Sequence, residues 1–479
     1  MTKVFIDTLG CAKNEYDSQV LAAKLIDRGC AITLDSEEAD ILIVNTCGFI
    51  DDAKRESIER ILQLSDNYAG RKKLVVTGCL SERYHKELAE ELPEVDLFFG
   101  VNDYDDMPDM LLENAGEDGV KNSIDELDLR DKVGAQLDYL PYRKRDYRKS
   151  EFREDGHYGY LKIAEGCNNA CSFCAIPLIR GPYRSKRIED CVREAEDMAA
   201  NGIKELILIA QDTSQYGIDL YGELKLPELL KRLCLVEGIE WIRLMYVYDN
   251  SITDDLIDVI AGEDKICKYI DMPIQHISDN VLRMMKRQST GDSIRSVINK
   301  LRERIPDVHI RTTLLVGFPG ETDDDISELL GFINNTDIDR LGAFAFSDEE
   351  GTPSYKLEGK LGDEVAASRR DLVMEHQLAV SERLNEAKIG KVYEVIIDGC
   401  LEIDADPADY TERSIDSPEF ESLRSAESIS LYEGRTRYDA PEIDCTVTIF
   451  SGRDDLDPGD IVKVKITDAY EYDLEGVHI

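Results

Sequence analysis

No apolar run in this chain reaches the ~18 residues that cross a bilayer, so no membrane-spanning helix is expected. The N-terminus also lacks the anatomy of a leader: Met1–Asp7 enters a strand pattern directly. A cytoplasmic protein is therefore expected. Positive charge is scarce too. Lys and Arg number 57 against 99 Asp and Glu, a formal net charge of −42 over 479 residues. Such a surface repels polyanions, which argues against nucleic acid as the main substrate. A basic protein partner and plain solubility are the two readings left. Cysteine, by contrast, is plentiful. Twelve thiols in a chain without secretory features favour metal or redox chemistry over disulfides.

Three of the twelve fall in Gly166-Cys167-Asn168-Asn169-Ala170-Cys171-Ser172-Phe173-Cys174, directly after the apolar run Tyr160–Ala164. The run reads as a strand and the cysteines as the loop leaving it. Three thiolates in C-x3-C-x2-C spacing can grip one compact cluster but do not complete the four-ligand set of a structural zinc site. A 4Fe–4S cube held by three thiolates keeps one iron open to a further ligand. A zinc site with a distant fourth ligand is the alternative.

Residues 1 to about 100 repeat a strand–helix unit three times. Strands Lys3–Thr8, Asp40–Val44 and Lys73–Val76 precede helical patterns at Glu15–Asp27, Asp51–Gln63 and Ser81–Glu91. Such repeats imply a doubly wound parallel sheet, whose carboxyl-end loops converge on one edge. Cys11, Cys47 and Cys79 each follow one of these strands. They are expected to meet in space as ligands of a second, auxiliary 4Fe–4S cluster, again with an open iron. Three separate buried thiols are the alternative, the reading preferred for Cys30, Cys191, Cys234 and Cys267.

A connector follows, closed by the basic run Arg143–Lys149, read as a solvated segment pairing with acidic neighbours. Six further strands alternate with helices from about 156 to 350, which predicts a partial (β/α)6 barrel, open on one side. Loops at its strand ends carry Gln211-Asp212-Thr213-Ser214, Pro273-Ile274-Gln275-His276 and Gly317-Phe318-Pro319-Gly320-Glu321. Their polar groups can hold a nucleoside and an amino-acid tail above a cube. His276 on its own reads as structural. The Gly317–Glu321 loop could equally be a turn before a capped helix. A helical bridge, clearest at Val365–Asn385, leads to short alternating strands that read as a small antiparallel β-barrel. Residues 391–479 hold 8 Lys and Arg against 23 Asp and Glu, a net of −15, the wrong sign for phosphate. The expected division is 1–115, a linker 116–155, a core with its helical bridge 156–387, and a barrel 388–479 with an acidic insertion at 402–430.

On these residues the chain resembles the radical S-adenosylmethionine methylthiotransferases over almost its whole length. The three-cysteine loop marks the superfamily; the trio Cys11, Cys47 and Cys79 and a TRAM-like C-terminal barrel mark the methylthiotransferases. Within them Leu9-Gly10-Cys11-Ala12-Lys13-Asn14, Gln211–Ser214 and Tyr438–Asp444 look like the RimO branch, which modifies an aspartate of ribosomal protein uS12. Tyr16 and Gln19 depart from that pattern; Tyr16 is closer to the tRNA-modifying branch, the rival reading. A bare electron carrier or scaffold is the non-enzymatic rival.

The resemblance implies two 4Fe–4S clusters, one on Cys167, Cys171 and Cys174 and an auxiliary one on Cys11, Cys47 and Cys79. It implies S-adenosylmethionine as radical source and methyl donor. Gln211, Asp212, Gln275, Arg311 and Gly317 are expected to contact that cofactor. An electron donor such as flavodoxin and the basic protein uS12, on the small subunit or free, are the implied partners. The target C–H bond is unactivated, so acid–base chemistry does not open it and the cofactor must supply a radical. Arg180, Arg184 and Arg187 follow the cysteine loop and are expected either to balance its charge or the cofactor's carboxylate, or to be solvated.

Overall fold

The computed structural model describes residues 1–68, 70–113, 156–401, 423 and 429–479. The expected linker 116–155, its basic run and nearly all of the insertion 402–430 lie outside the described residues.

The N-terminal sheet is parallel throughout. Its strands are β1 (Lys3–Thr8), β2 (Ala31–Thr33), β3 (Ile41–Thr46), β4 (Lys73–Gly78) and β5 (Leu97–Phe98), in the order β2-β1-β3-β4-β5. Every residue of β3 is buried, as a central strand covered on both faces requires. Helices α1 (Ala12–Asp27), α2 (Asp51–Tyr68) and α3 (Cys79–Glu91) follow β1, β3 and β4. Strands β2 and β5 span three and two residues, too few to show a period in the sequence, and they were not expected. The strand order reverses between β1 and β3, where such sheets open a crevice beyond their strand ends.

The central sheet is a six-stranded partial barrel. It comprises β6 (Tyr158–Lys162), β9 (Glu205–Ile209), β10 (Trp241–Leu244), β11 (Ile266–Asp271), β12 (His309–Val316) and β13 (Arg340–Ala345), parallel throughout and in that spatial order. A two-stranded ribbon of β7 (Ala164–Glu165) and β8 (Arg184–Ser185) brackets the cysteine loop. Alternation sends Leu206, Leu208, Ile266 and Ile270 into the large core shared with the helices. The opposite face, with Tyr158, Tyr160, Ile207, Ile209, Trp241 and Tyr269, packs on Tyr16 of α1 and on Ala440 near the C-terminus. The open interior is thus filled by two elements from other parts of the chain. The long bridge helix Asp363–Glu386 inserts Val373 and Val380 into the main core.

The C-terminal barrel closes as β14 (Val392–Cys400), β15 (Ser430–Thr436), β16 (Val447–Ser451), β18 (Leu474–His478) and β17 (Ile461–Ala469). It is not antiparallel throughout, as the sequence suggested: β16 and β18 run parallel. The segment after β15 reaches under the partial barrel with buried ion pairs. Asp439 takes Arg340 at 2.7 Å, Asp444 takes Arg311 at 3.2 Å and accepts from Tyr269 at 2.6 Å. Beside them Arg435 bridges Asp398 and Glu205, and Glu205 also takes Arg243. No helix among the described residues is long and apolar enough to cross a membrane.

Candidate metal centres and their surroundings

Cys11, Cys47 and Cys79 stand at neighbouring strand ends, near enough for each to feel the charge of the others. Cys11 caps α1, Cys47 follows β3, and Cys79 opens α3 as its first residue rather than lying in a loop. Two glycines let the strand ends crowd. Gly10 has φ +93, and a Cβ there would lie 2.8 Å from Cys47 Cβ and 3.0 Å from its Sγ. Gly78 has φ +101, and its Cβ would lie 2.5 Å from both Asn45 Oδ1 and Thr46 N. Left-handed backbone and close approach each demand glycine here. We predict that Gly78→Ala costs at least about 1–3 kcal/mol and loses the iron of this trio before that of the other. Iron content against circular dichroism checks it.

Asn14 ties this edge together. Its Nδ2 donates to Leu9 O and Thr46 O, both at 2.9 Å, and its backbone carbonyl accepts from Asn45 Nδ2 at 2.9 Å. Its Oδ1 faces Cys79 Sγ at 3.5 Å and accepts from Arg180 Nη2 at 2.7 Å. The same nitrogen of Arg180 reaches Cys79 Sγ at 3.3 Å. Burial pushes the Cys79 thiol up to about 12, against the pull of Arg180. Metal binding takes the thiolate form, so a bound cluster would offset the burial cost that Arg180 offsets only in part.

The second trio lies at the carboxyl end of the partial barrel. Asn169 donates through Nδ2 to Asp212 Oδ2 at 2.7 Å and through its backbone N–H to Cys167 Sγ at 3.4 Å. Tyr248 Oη stands 3.5 Å from Cys171 Sγ, beneath the guanidinium of Arg287, whose Cζ is 3.7 Å from the ring centroid. Burial pushes Cys167 up to about 11 and Cys174 up to about 12. Among the described residues no group of three His, Cys, Asp or Glu closes around a point for one bare ion. A cluster spreads its protein ligands over several irons, one thiolate to each, so it does not require such a point.

The two trios share a short helix. Ile176–Arg180 begins two residues after Cys174; Ala175 and Ile179 are buried in the core of the N-terminal sheet, and Arg180 ends at Cys79. Arg180 is 1% exposed and also pairs with Asp17 at 2.7 Å and Glu165 at 3.2 Å. It therefore serves the trio opposite the one it follows in sequence. Arg184 donates to Asn102 at 3.4 Å, and the half-exposed Arg187 pairs with Asp190.

Of the five residues expected at the cofactor, Gln211 follows β9. Asp212 is buried, engaged with Ser214 and Asn169, and so braces the cysteine loop. Gln275 has φ +71 and Gly317 has φ +77. Both stand at strand ends where the backbone turns across the mouth; Gln275 also bridges Leu314. Arg311 is turned to Asp271 at 2.9 Å and to Asp444, beneath these loops. His276 is fully buried and accepts at Nδ1 from Ser278 N, while its Nε2 stands 3.6 Å from Glu321 Oε2. Cys30, Cys191 and Cys267 are buried; Cys234 is only partly so. Tyr16, the departure from the family pattern, donates to Glu194 and accepts from Lys186 between two parts of the chain. Asn14, Tyr246 and Tyr248 were not singled out from sequence. Asn14 lay inside a quoted motif; the tyrosines gave no signal before their backbone and neighbours were known.

Profiles of three families match the chain: an uncharacterised protein family, UPF0004, over residues 3–100, the radical SAM superfamily over 161–333, and the TRAM domain over 420–479. A protein of Clostridioides difficile (strain 630) named ribosomal protein uS12 methylthiotransferase RimO is 42% identical over 99% of this chain and 98% of its own. One of the same name from Acetivibrio thermocellus is 42% identical over the same shares. Among solved structures, the radical S-adenosylmethionine methyltransferase TsrM from Kitasatospora setae shares the fold, with a TM-score of 0.55 over 74% of each chain at 15% identity.

Proposed function

This chain belongs to the family of the RimO methylthiotransferases, and from that we propose that it replaces a β-hydrogen of an aspartate in ribosomal protein uS12 by a methylthio group. The observation that carries the reading is the convergence of two three-thiol sets joined by one five-residue helix. Its cofactors are two 4Fe–4S clusters and S-adenosylmethionine. In our reading Cys167, Cys171 and Cys174 hold the radical-forming cluster, and Cys11, Cys47 and Cys79 the auxiliary one. Gln211, Gln275 and Gly317 border the S-adenosylmethionine, while Asp212 braces the cysteine loop and Arg311 is held beneath it on Asp271 and Asp444. When bound, these groups supply the radical that opens an unactivated C–H bond, the inserted sulfur and the methyl group.

The protein's own part is placement. The thiols act as ligands, not as acids or nucleophiles. Asp212 and Asn169 fix the cysteine loop, and Arg180 balances charge at Cys79. The division 1–115, 116–155, 156–387 and 388–479 is part of the proposal, as are a cytoplasmic location and a flavodoxin-like electron donor. Anaerobic reconstitution with S-adenosylmethionine, reductant and uS12 tests it. The expected product is uS12 heavier by a methylthio group in place of one hydrogen, with 5′-deoxyadenosine released. Modified tRNA nucleosides with unmodified uS12 would reject it.

The acidic surface supports the protein substrate, since opposite fields favour encounter. Exposed Asp454, Asp457 and Glu471 lie on the C-terminal barrel. Changing all three to Lys should slow uS12 capture on the order of tenfold at low salt, with kcat unchanged. Stopped-flow association at two ionic strengths reads this; no change would remove the electrostatic part of the proposal.

A further inference from the structure

We propose that Lys13 selects the substrate, its ammonium receiving the side-chain carboxylate of the residue to be modified. This rests on the reading above. Lys13 is 6% exposed and lies in the first turn of α1, where the helix dipole disfavours a cation. A local preference broken at a buried position points to function. Among the described residues no carboxylate, carbonyl or hydroxyl takes a bond from its Nζ. The ammonium sits 3.0 Å from the centroid of the Tyr246 ring. A ring face offsets part of the lost hydration, and the ammonium keeps some contact with solvent, so its donors are open to an incoming acceptor.

Neighbouring buried cations are already matched. Arg180 and Lys162 share Asp17 and Glu165, Lys186 has Glu194, and Arg287 has Asp249. Lys13 is also placed between the trios. It lies two residues after Cys11, and the Tyr246 ring beneath it follows β10 at the mouth that carries the other trio. The ring beneath it is held in a strained position. Tyr246 has φ +59, its N–H donates to Asp271 Oδ2 at 2.9 Å, and its carbonyl accepts from Thr213 N at 3.0 Å. Strain clamped on both sides persists where side-chain placement matters.

The chemistry supplies the ligand. In aspartate the carboxyl carbon is bonded to the β-carbon that reacts. Bringing that carbon between the trios brings a carboxylate between two sets of thiolates. An anion there needs a counter-charge, and Lys13 provides it beside Cys11. Asparagine has the same shape without the charge, so it would leave the ammonium unmatched.

The test uses the reconstituted full chain with uS12-loop peptides carrying Asp or Asn at the target. Peptide binding is read by fluorescence anisotropy and turnover by mass spectrometry. Wild type should favour Asp on the order of 10- to 100-fold in both, and Lys13→Gln should bring the ratio close to one while S-adenosylmethionine affinity is unchanged. Equal binding of both peptides by wild type overturns the inference without any variant. A ratio that survives Lys13→Gln overturns it too. So does a loss of S-adenosylmethionine affinity with the ratio intact, which would give the ammonium to the cofactor's carboxylate. Wild type that modifies no Asp peptide would overturn the functional reading along with it. A functional wild type with an unaltered ratio overturns the Lys13 assignment alone.

Discussion

Serine at Cys171 should remove about four of about eight irons per chain and end the release of 5′-deoxyadenosine. Serine at Cys79 should remove about the same amount of iron, leave that release intact and abolish methylthio transfer. The asymmetry follows from placement. Cys171 stands at the barrel mouth beside Tyr248, and Cys79 stands on the N-terminal sheet beside Asn14 and Arg180. A cube bound by three thiolates is expected to be lost when one of the three is removed, since two thiolates hold too few of its irons. Iron assay, electron paramagnetic resonance and product mass on both variants separate the two halves of the chemistry. If Cys79→Ser retained full transfer, the auxiliary trio would have no part in the reaction.

Arg180→Met is the larger test of architecture. Its guanidinium meets Asp17, Glu165, Asn14 and Cys79 with 1% exposure. Removing one member of a buried ionic set costs about 3–5 kcal/mol, since the others stay buried and under-matched. Lys162 still faces both carboxylates, which keeps the effect nearer the lower figure. The same change takes a cation from Cys79, so the potential of the auxiliary cluster should fall as well. Thermal unfolding reads the first effect and a redox titration the second. Arg180→Lys should recover part of the potential but not the bond to Asn14, because an ammonium cannot span both sites as a fork does. An unchanged potential in Arg180→Met would show that the arginine serves packing alone.

The cysteine sets were legible because each follows a strand in a repeated pattern, and strand ends in such sheets share an edge. The six strands of the partial barrel were legible for the same reason, from apolar runs separated by helices of ordinary length. Strands β2 and β5 were too short to carry a period. Strands β15 and β18 escaped notice because the first lies beside the acidic stretch and the second ends the chain. Arg180 could be singled out but not aimed, since its partners Asp17 and Cys79 are 163 and 101 residues away. Backbone sign was not readable at these two non-glycine positions: nothing in the string distinguishes Tyr246 or Gln275, whose φ is positive.

Consider the segment that runs from Asp439 to Asp444. It ties the last eighty or so residues to arginines 340 and 311, and Glu205 reaches from the other side to Arg435. The terminal module is consequently locked to this core through its interior charges. Grafting a counterpart suited to a different substrate would orphan several interior charges at once. A replacement lacking Asp439 and Asp444 would leave Arg340 and Arg311 short of partners on the far face of that joint.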